Sequence, residues 1–449
     1  MATFSIENFG CRATEADASA LRRELLASGL ALADEQASAD VVVLNTCTVT
    51  AAADCQAREA VRKIRRANPA ARIIVTGCYA QRAPEELAAL DGVTWVIGNS
   101  HQAEIPGLVR GLLAPAARFG SEAAPVPHFV PLSQLDDPFS LARGPAKILT
   151  GDIFAQTVVQ AAGGLAESSD RTRPILKIQD GCNNRCSYCV IPFVRGRSRS
   201  LPPDVVVEQA RKLATEGARE IVLSGINLGS YGRDFTPRAE IAAVVRRILD
   251  ETGIEQIRFS SIEPQDVTED FVALVAGNER LAPHFHVPLQ SGSDRILRAM
   301  HRWYRTEHYA ERVQLIRRLL PDAAIGADVI VGFPGESEAD FRATSALIER
   351  LPFTYLHVFS FSPRPGTATA APGDPVPHAT IRERARALRA LAQEKSAAFR
   401  RSQAGRTLRA LTLNRGGDNW TEALTGNYLK LRVSGRRPAN EWCDVRVTA

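Results

Sequence analysis

Through residues 1–112, short apolar runs alternate with amphipathic stretches. Residues 41–45, 72–76 and 95–98 are rich in Val and Ile and predict strands; 15–26, 55–67 and 84–90 carry the spacing of helices with one apolar face. Strand–helix alternation predicts an α/β unit with an open parallel sheet. Residues 113–172 are rich in Ala, Pro and Gly with weak periodicity and read as a linker with some local structure, not a domain. Alternation resumes at Pro174. Strands are predicted at 175–179, 220–224, 256–261, 284–288, 324–331 and 354–361, with helices at 203–217, 238–251, 268–276, 306–320 and 337–351. Six such β/α units make a partial version of a TIM-type barrel. A long helix over 380–402 leads out, and short alternating segments from 407 to 448 predict a small β-barrel. The expected division is 1–112, a linker over 113–172, a barrel over 173–400 and an end module over 401–449.

The chain has eight cysteines in 449 residues, too few for a disulfide scaffold, and grouped cysteines in a reducing compartment point to metal or catalysis. Cys182, Cys186 and Cys189 form a CxxxCxxC triplet on the loop after the first barrel strand. Three such thiolates hold three irons of a [4Fe–4S] cluster and leave the fourth iron open. Zinc suits the same spacing but wants a fourth Cys or His, and none lies within ten residues on either side. Cys11, Cys47 and Cys78 each sit where a strand gives way to a loop. In a parallel sheet those ends share one edge, where open α/β sheets bind ligands. They read either as a second cluster site or as three buried thiols. Cys55 and Cys443 are left over as ordinary thiols.

Charge is concentrated at one end. Residues 400–449 hold ten bases and four acids, a net +6 against +5 for the whole chain. A basic end module points to a polyanionic partner. The start of the chain lacks the pattern of a signal peptide and the apolar runs are too short to cross a membrane, so a cytoplasmic protein with no membrane partner is expected.

Several local motifs belong together. They are Asn8–Arg12 (Asn-Phe-Gly-Cys-Arg), Asn45-Thr46-Cys47-Thr48-Val49-Thr50, Thr76-Gly77-Cys78, Lys177 to Cys189 running into Arg195-Gly196-Arg197-Ser198-Arg199-Ser200, His286 to Ser293, Val329 to Glu336, and Arg364-Pro365-Gly366-Thr367. With Tyr188 before the third cysteine, this order resembles the methylthiotransferases of the radical S-adenosylmethionine (SAM) superfamily. That family has a UPF0004-type N-terminal domain, a radical SAM core and a C-terminal TRAM domain.

The resemblance covers nearly the whole chain and implies two [4Fe–4S] clusters, on Cys182, Cys186 and Cys189 and on Cys11, Cys47 and Cys78, together with SAM. The residues around Cys11 and Cys47 look like the branch that places a methylthio group on C2 of N6-threonylcarbamoyladenosine in the tRNA anticodon stem-loop. Implied partners are a flavodoxin- or ferredoxin-type electron donor and a sulfur donor. Beside Tyr188, the strand-end positions Gly225, Asn227, Glu263, Gln290, Ser291, Asp328, Gly332 and Arg364 are candidates for the SAM pocket. Arg195, Arg197, Arg199, Arg432 and Arg436 are candidates for RNA binding. Trp420, Asn427 and Tyr428 are candidates either for base contacts or for the core. Competing readings are the same chemistry on isopentenyladenosine or on a ribosomal-protein aspartate, sulfur insertion into a small molecule, and a zinc- and RNA-binding module without catalysis.

Overall fold

Val41–Thr46 is buried at every position, as a strand covered on both faces of a parallel sheet must be. In the computed structural model, which describes residues 2–113, 146–159, 172–370 and 373–448, it is the third of six strands in a parallel sheet. These are β1 (Thr3–Asn8), β2 (Ala31–Leu32), β3 (Val41–Thr46), β4 (Arg72–Gly77), β5 (Val93–Gly98) and β6 (Lys147–Leu149), in the order β2-β1-β3-β4-β5-β6. The helix Ala51–Ala67 buries Ala57, Ala60, Val61 and Ile64 along one face. That spacing is the apolar stripe of a surface helix, and it packs on Val42, Leu44, Ile73 and Val75.

One short segment of the expected linker joins this sheet. Residues 114–145 and 160–171 lie outside the described residues, but Lys147–Leu149 pairs in parallel with Trp95–Ile97 as an edge strand.

The chain forms two units. The first comprises Met1–Phe9, Leu21–Cys47 and Ala52–Asp152, and the second Gly10–Ala20, Thr48–Ala51 and Ile153–Ala449. Two short segments of the expected N-terminal domain, around Cys11 and after Cys47, thus belong to the second unit.

That unit is built on β7 (Ile175–Asp180), β8 (Arg199–Ser200), β9 (Glu220–Gly225), β10 (Gln256–Phe259), β11 (His284–His286), β12 (Ala324–Val331) and β13 (Tyr355–Ser360). Parallel ladders join β7, β9 and β10, and β11, β12 and β13. Bridges Ile257↔Leu281 and Ser261↔His286 connect the two groups, so six parallel strands follow in chain order with helices between them. The short β8 runs antiparallel on the free edge of β7.

Alternation along these strands separates two faces. Leu176, Ile178, Ile221, Leu223, Ile257, Phe259 and Ile325 join the core under the helices. The opposite face is polar and joined across strands, Arg258 to Glu220 at 2.7 Å, His284 to the Tyr355 hydroxyl at 2.8 Å and His286 to Asp328 at 3.0 Å.

The 25-residue helix His378–Ser402 buries Ile381, Ala385 and Leu388 in the same core. It leads to β14 (Thr407–Gly417), β15 (Trp420–Thr425), β16 (Lys430–Ser434) and β17 (Trp442–Arg446), an antiparallel sheet in the order β16-β15-β14-β17. The turn after β15 docks on the polar face of the barrel. Arg258, fully buried, donates to the carbonyls of Gly426 (2.8 Å) and Thr425 (3.1 Å). Tyr428 stacks on His284 with ring centroids 4.2 Å apart.

Candidate active site

The CxxxCxxC loop is shaped by the last residues of β7. The Gln179 carboxamide donates to the carbonyls of Asp180 (2.9 Å) and Gly181 (2.8 Å) and to Ser198 Oγ (3.0 Å), and accepts the Asn227 N–H (2.8 Å). One side chain thereby ties the loops after β7 and β9. Gly181 turns the chain at φ +69°, and a Cβ there would lie 2.0 Å from the Arg197 carbonyl oxygen, so only glycine fits. The Cys182 N–H bonds Gly196 O at 3.1 Å and closes the loop.

Below it lies a buried charge network. Asp180 accepts from Lys177 (3.0 Å) and Arg195 (3.1 Å), Arg195 also reaches Asp17 (2.8 Å), and Lys177 pairs with Asp17 as well. Burial raises the Asp180 carboxyl, but Lys177, Arg195 and Arg199 outweigh it and hold it well below the usual carboxylate range.

Cys182, Cys186 and Cys189 open onto one cavity of about 220 Å³ at the C-terminal ends of the barrel strands, together with Tyr188, Asn227, Glu263, Gln290, Arg302 and Asp328. A second, more apolar cavity of about 200 Å³ shares Tyr188, Cys189, Gln290 and Asp328 and adds Val49, Ile330, Phe359 and Phe361.

The thiols fit an iron–sulfur cluster. The first cavity's lining includes no fourth Cys and no His, which leaves zinc short of a closed set. Donors already face the sulfurs, the Asn184 N–H on Cys182 at 3.4 Å and Arg302 Nη1 on Cys186 at 3.3 Å. Burial, then the neighbouring Cys186, pushes the Cys189 thiol up to about 12. Such a thiol ionises readily only beside a cation.

Glu263 pairs with Arg302. Burial raises the Glu263 carboxyl, opposed by the Arg302 charge. Asp328 is held well below its ordinary range because hydrogen bonds from His286 and His357 overcome the effect of burial.

Of the SAM-pocket candidates, Tyr188, Asn227, Glu263, Gln290 and Asp328 line the first cavity; Gly225, Ser291, Gly332 and Arg364 do not. Gly225 packs against Gln179, where a Cβ would meet Oε1 at 2.8 Å. Ser291 is buried beside Thr344. The Gly332 N–H donates to Glu336 at 2.8 Å. Arg364 is buried and is in neither lining.

The expected RNA role of Arg195 is corrected by its burial in the Asp17–Asp180 network, which leaves no face for a phosphate. Arg199 is likewise engaged internally, with Val158 O at 2.9 Å and Arg195 O at 2.6 Å. Arg197, Arg432 and Arg436 reach the surface. Asn427 is buried and donates to Asp322 O and Gln403 Oε1, and the half-buried Tyr428 packs on His284. Trp420 is covered by the Arg432 guanidinium, 4.5 Å from its ring centroid. Residues missed from sequence are Gln179, inside a recognised motif but without an assigned role, and Arg302, which sits in a basic stretch after a helix and carries no strand-end signal.

In the first unit, Cys47 and Cys78 directly follow Thr46 and Gly77, a paired position of β3 and β4. Both are buried, and Cys78 Sγ accepts from Asn99 at 3.6 Å. Cys11 is exposed and belongs to the second unit, three residues after the end of β1.

Comparison with known proteins agrees with this architecture. Residues 176–348 match the radical SAM superfamily and residues 3–98 the uncharacterized protein family UPF0004. The threonylcarbamoyladenosine tRNA methylthiotransferase MtaB of Aquifex aeolicus is 36% identical, with 99% of each chain covered. The tRNA-2-methylthio-N(6)-dimethylallyladenosine synthase of Thermobifida fusca is 35% identical over 85% of this chain and 72% of its own. Among solved structures, the radical SAM methyltransferase TsrM of Kitasatospora setae, with cobalamin and a [4Fe–4S] cluster bound, superposes with a TM-score of 0.57 at 16% identity, covering 82% of this chain and 77% of that one; this likeness is one of fold. The chain belongs to the MtaB-type methylthiotransferases of the radical SAM superfamily.

Proposed function

We propose that the protein places a methylthio group on C2 of N6-threonylcarbamoyladenosine next to the anticodon of tRNA, consuming two SAM molecules with two [4Fe–4S] clusters. The observation that carries this reading is the single cavity onto which three cysteines, Glu263, Gln290 and Arg302 open, in a chain similar to MtaB over its full length. Bound on these thiolates and on Cys11, Cys47 and Cys78, the two clusters would supply reductive cleavage of SAM and a place for the sulfur that is methylated and transferred.

The chain's own residues do the rest. Gln179 fixes the cysteine loop against Asn227. Arg302 and Glu263 offer a cation and an anion for the carboxylate and amino groups of SAM. The adjoining apolar cavity, with Tyr188 and Ile330 in its wall, suits the adenosyl part and excludes water. Arg197, Arg432 and Arg436 supply charge at the surface for the RNA backbone.

An electron donor of flavodoxin or ferredoxin type and a separate sulfur donor complete the system, which we place in the cytoplasm. Among the described residues no helix is long and apolar enough to cross a membrane. The test is mass spectrometry of nucleosides from tRNA treated with reconstituted enzyme. The 2-methylthio derivative of threonylcarbamoyladenosine is expected. A product only on isopentenyladenosine would move the chain to the branch of the Thermobifida relative, and none on tRNA would overturn the reading.

A further inference from the structure

Three adjacent barrel strands carry a second set of metal-ligand side chains, distinct from the cysteines. His286 ends β11, Asp328 lies in β12 and His357 in β13, with Asp328 and His357 directly paired in the ladder. His286 Nε2 and His357 Nδ1 converge on the same carboxylate oxygen, Asp328 Oδ1, at 3.0 and 3.2 Å. All three donor atoms lie within 4.8 Å of one another.

We propose that His286, Asp328 and His357 form a binding site for one divalent transition-metal ion such as Zn2+. Bonds of about 2.0–2.1 Å from nitrogen and oxygen donors to such an ion put neighbouring donors roughly 3.0–3.4 Å apart, which is the spacing of each imidazole nitrogen from the carboxylate. Two imidazoles and one carboxylate leave coordination positions open.

The surroundings match what a metal-bound histidine requires. The other ring nitrogen of His286, Nδ1, is 3.1 Å from the Tyr355 hydroxyl, which is itself 2.8 Å from His284 Nε2. A partner on the far nitrogen fixes the ring's tautomer and turns Nε2 toward the ion. All three donors stand on strands, not loops, so their spacing is set by the ladder. Access exists too, since Asp328 lines both cavities and the His357 side chain is 57% exposed.

The experiment uses cluster-reconstituted enzyme equilibrated with Zn2+ and freed of loose metal, with zinc counted per chain. Wild type is expected to retain one equivalent, and His357→Gln and the double variant His286→Gln/His357→Gln to lose it while keeping their iron. Co2+ in place of zinc should show visible d–d bands without the near-ultraviolet charge transfer that cysteine ligation produces. His357 is largely exposed, so its variant tests the site without disturbing the core. Equal zinc in wild type and double variant, no retained zinc, or a cobalt spectrum carrying thiolate charge transfer would each overturn the proposal.

Discussion

Arg302 reaches from the loop after the helix Asp294–Ala299 to place Nη1 3.3 Å from Cys186 Sγ while its Nη2 pairs with Glu263. A buried guanidinium against a thiolate withdraws electron density from a cluster held there, and hydrogen bonds to cluster sulfurs set reduction potential. Arg302→Met is therefore expected to shift the potential of the SAM-cleaving cluster to more negative values, read by redox titration with electron paramagnetic resonance. Because Glu263 loses its partner in a buried site, the same variant should cost roughly 3–5 kcal/mol of stability, read by urea unfolding.

Iron counting separates the two cysteine triads. Wild type reconstituted without oxygen should hold about eight irons, and Cys47→Ala about four, as two cubane clusters predict. Cys186→Ala should abolish SAM cleavage, whereas Cys47→Ala should cleave SAM without thiolating RNA. Thiolation surviving in Cys47→Ala would remove Cys47 from the sulfur site.

The Asp180 network gives the fold an acid-sensitive element. Burial raises this carboxyl, but Lys177, Arg195 and Arg199 hold it well below its unfolded value, which is about 3.9. Its contribution is thus fully present above about pH 5 and is lost as the pH falls below the unfolded value. Unfolding midpoints measured from neutral to acid pH should fall more steeply in wild type than in Asp180→Asn. At neutral pH that variant should be weaker by roughly 3–5 kcal/mol, since it leaves the buried Lys177 and Arg195 to share Asp17 alone.

Surface and buried arginines should behave oppositely. Arg432→Glu and Arg436→Glu are expected to weaken tRNA binding, and each phosphate no longer neutralised should lower the salt dependence by about one counterion. Arg195→Glu should instead unfold the protein, because it sets a third carboxylate against Asp17 and Asp180. Filter binding across a salt series, with unfolding curves alongside, checks both.

Legibility followed burial pattern. Residues 324–331 are readable to the residue because β12 is a long, mostly buried run, and 306–320 to within one residue because the helix Thr306–Leu319 buries Tyr309, Ala310, Val313 and Ile316 on one face. The strand expected before Cys11 is present as β1, but its bounds carry no clear pattern, since it buries only Phe4 of its six residues. β6 was hidden because three residues in an Ala- and Pro-rich stretch carry no period. In the site, the cysteines announced themselves by spacing, and the strand-end rule found Asn227, Glu263, Gln290 and Asp328 at the cavity. The same rule could not tell a wall residue from its neighbour; Gln290 lines the cavity and Ser291 turns into the core. Arginines were misread most easily, since sequence gives charge and not its partner. Arg195 reads as an RNA contact and Arg302 draws no reading at all until the acids facing them are seen.

The docking of Arg258 on Gly426 and Thr425 and of Tyr428 on His284 makes the C-terminal sheet the stopper of the barrel rather than a tethered arm. RNA held at Arg432 and Arg436, as proposed above, would thus be held by a sheet fixed to the barrel that carries the cysteine loop.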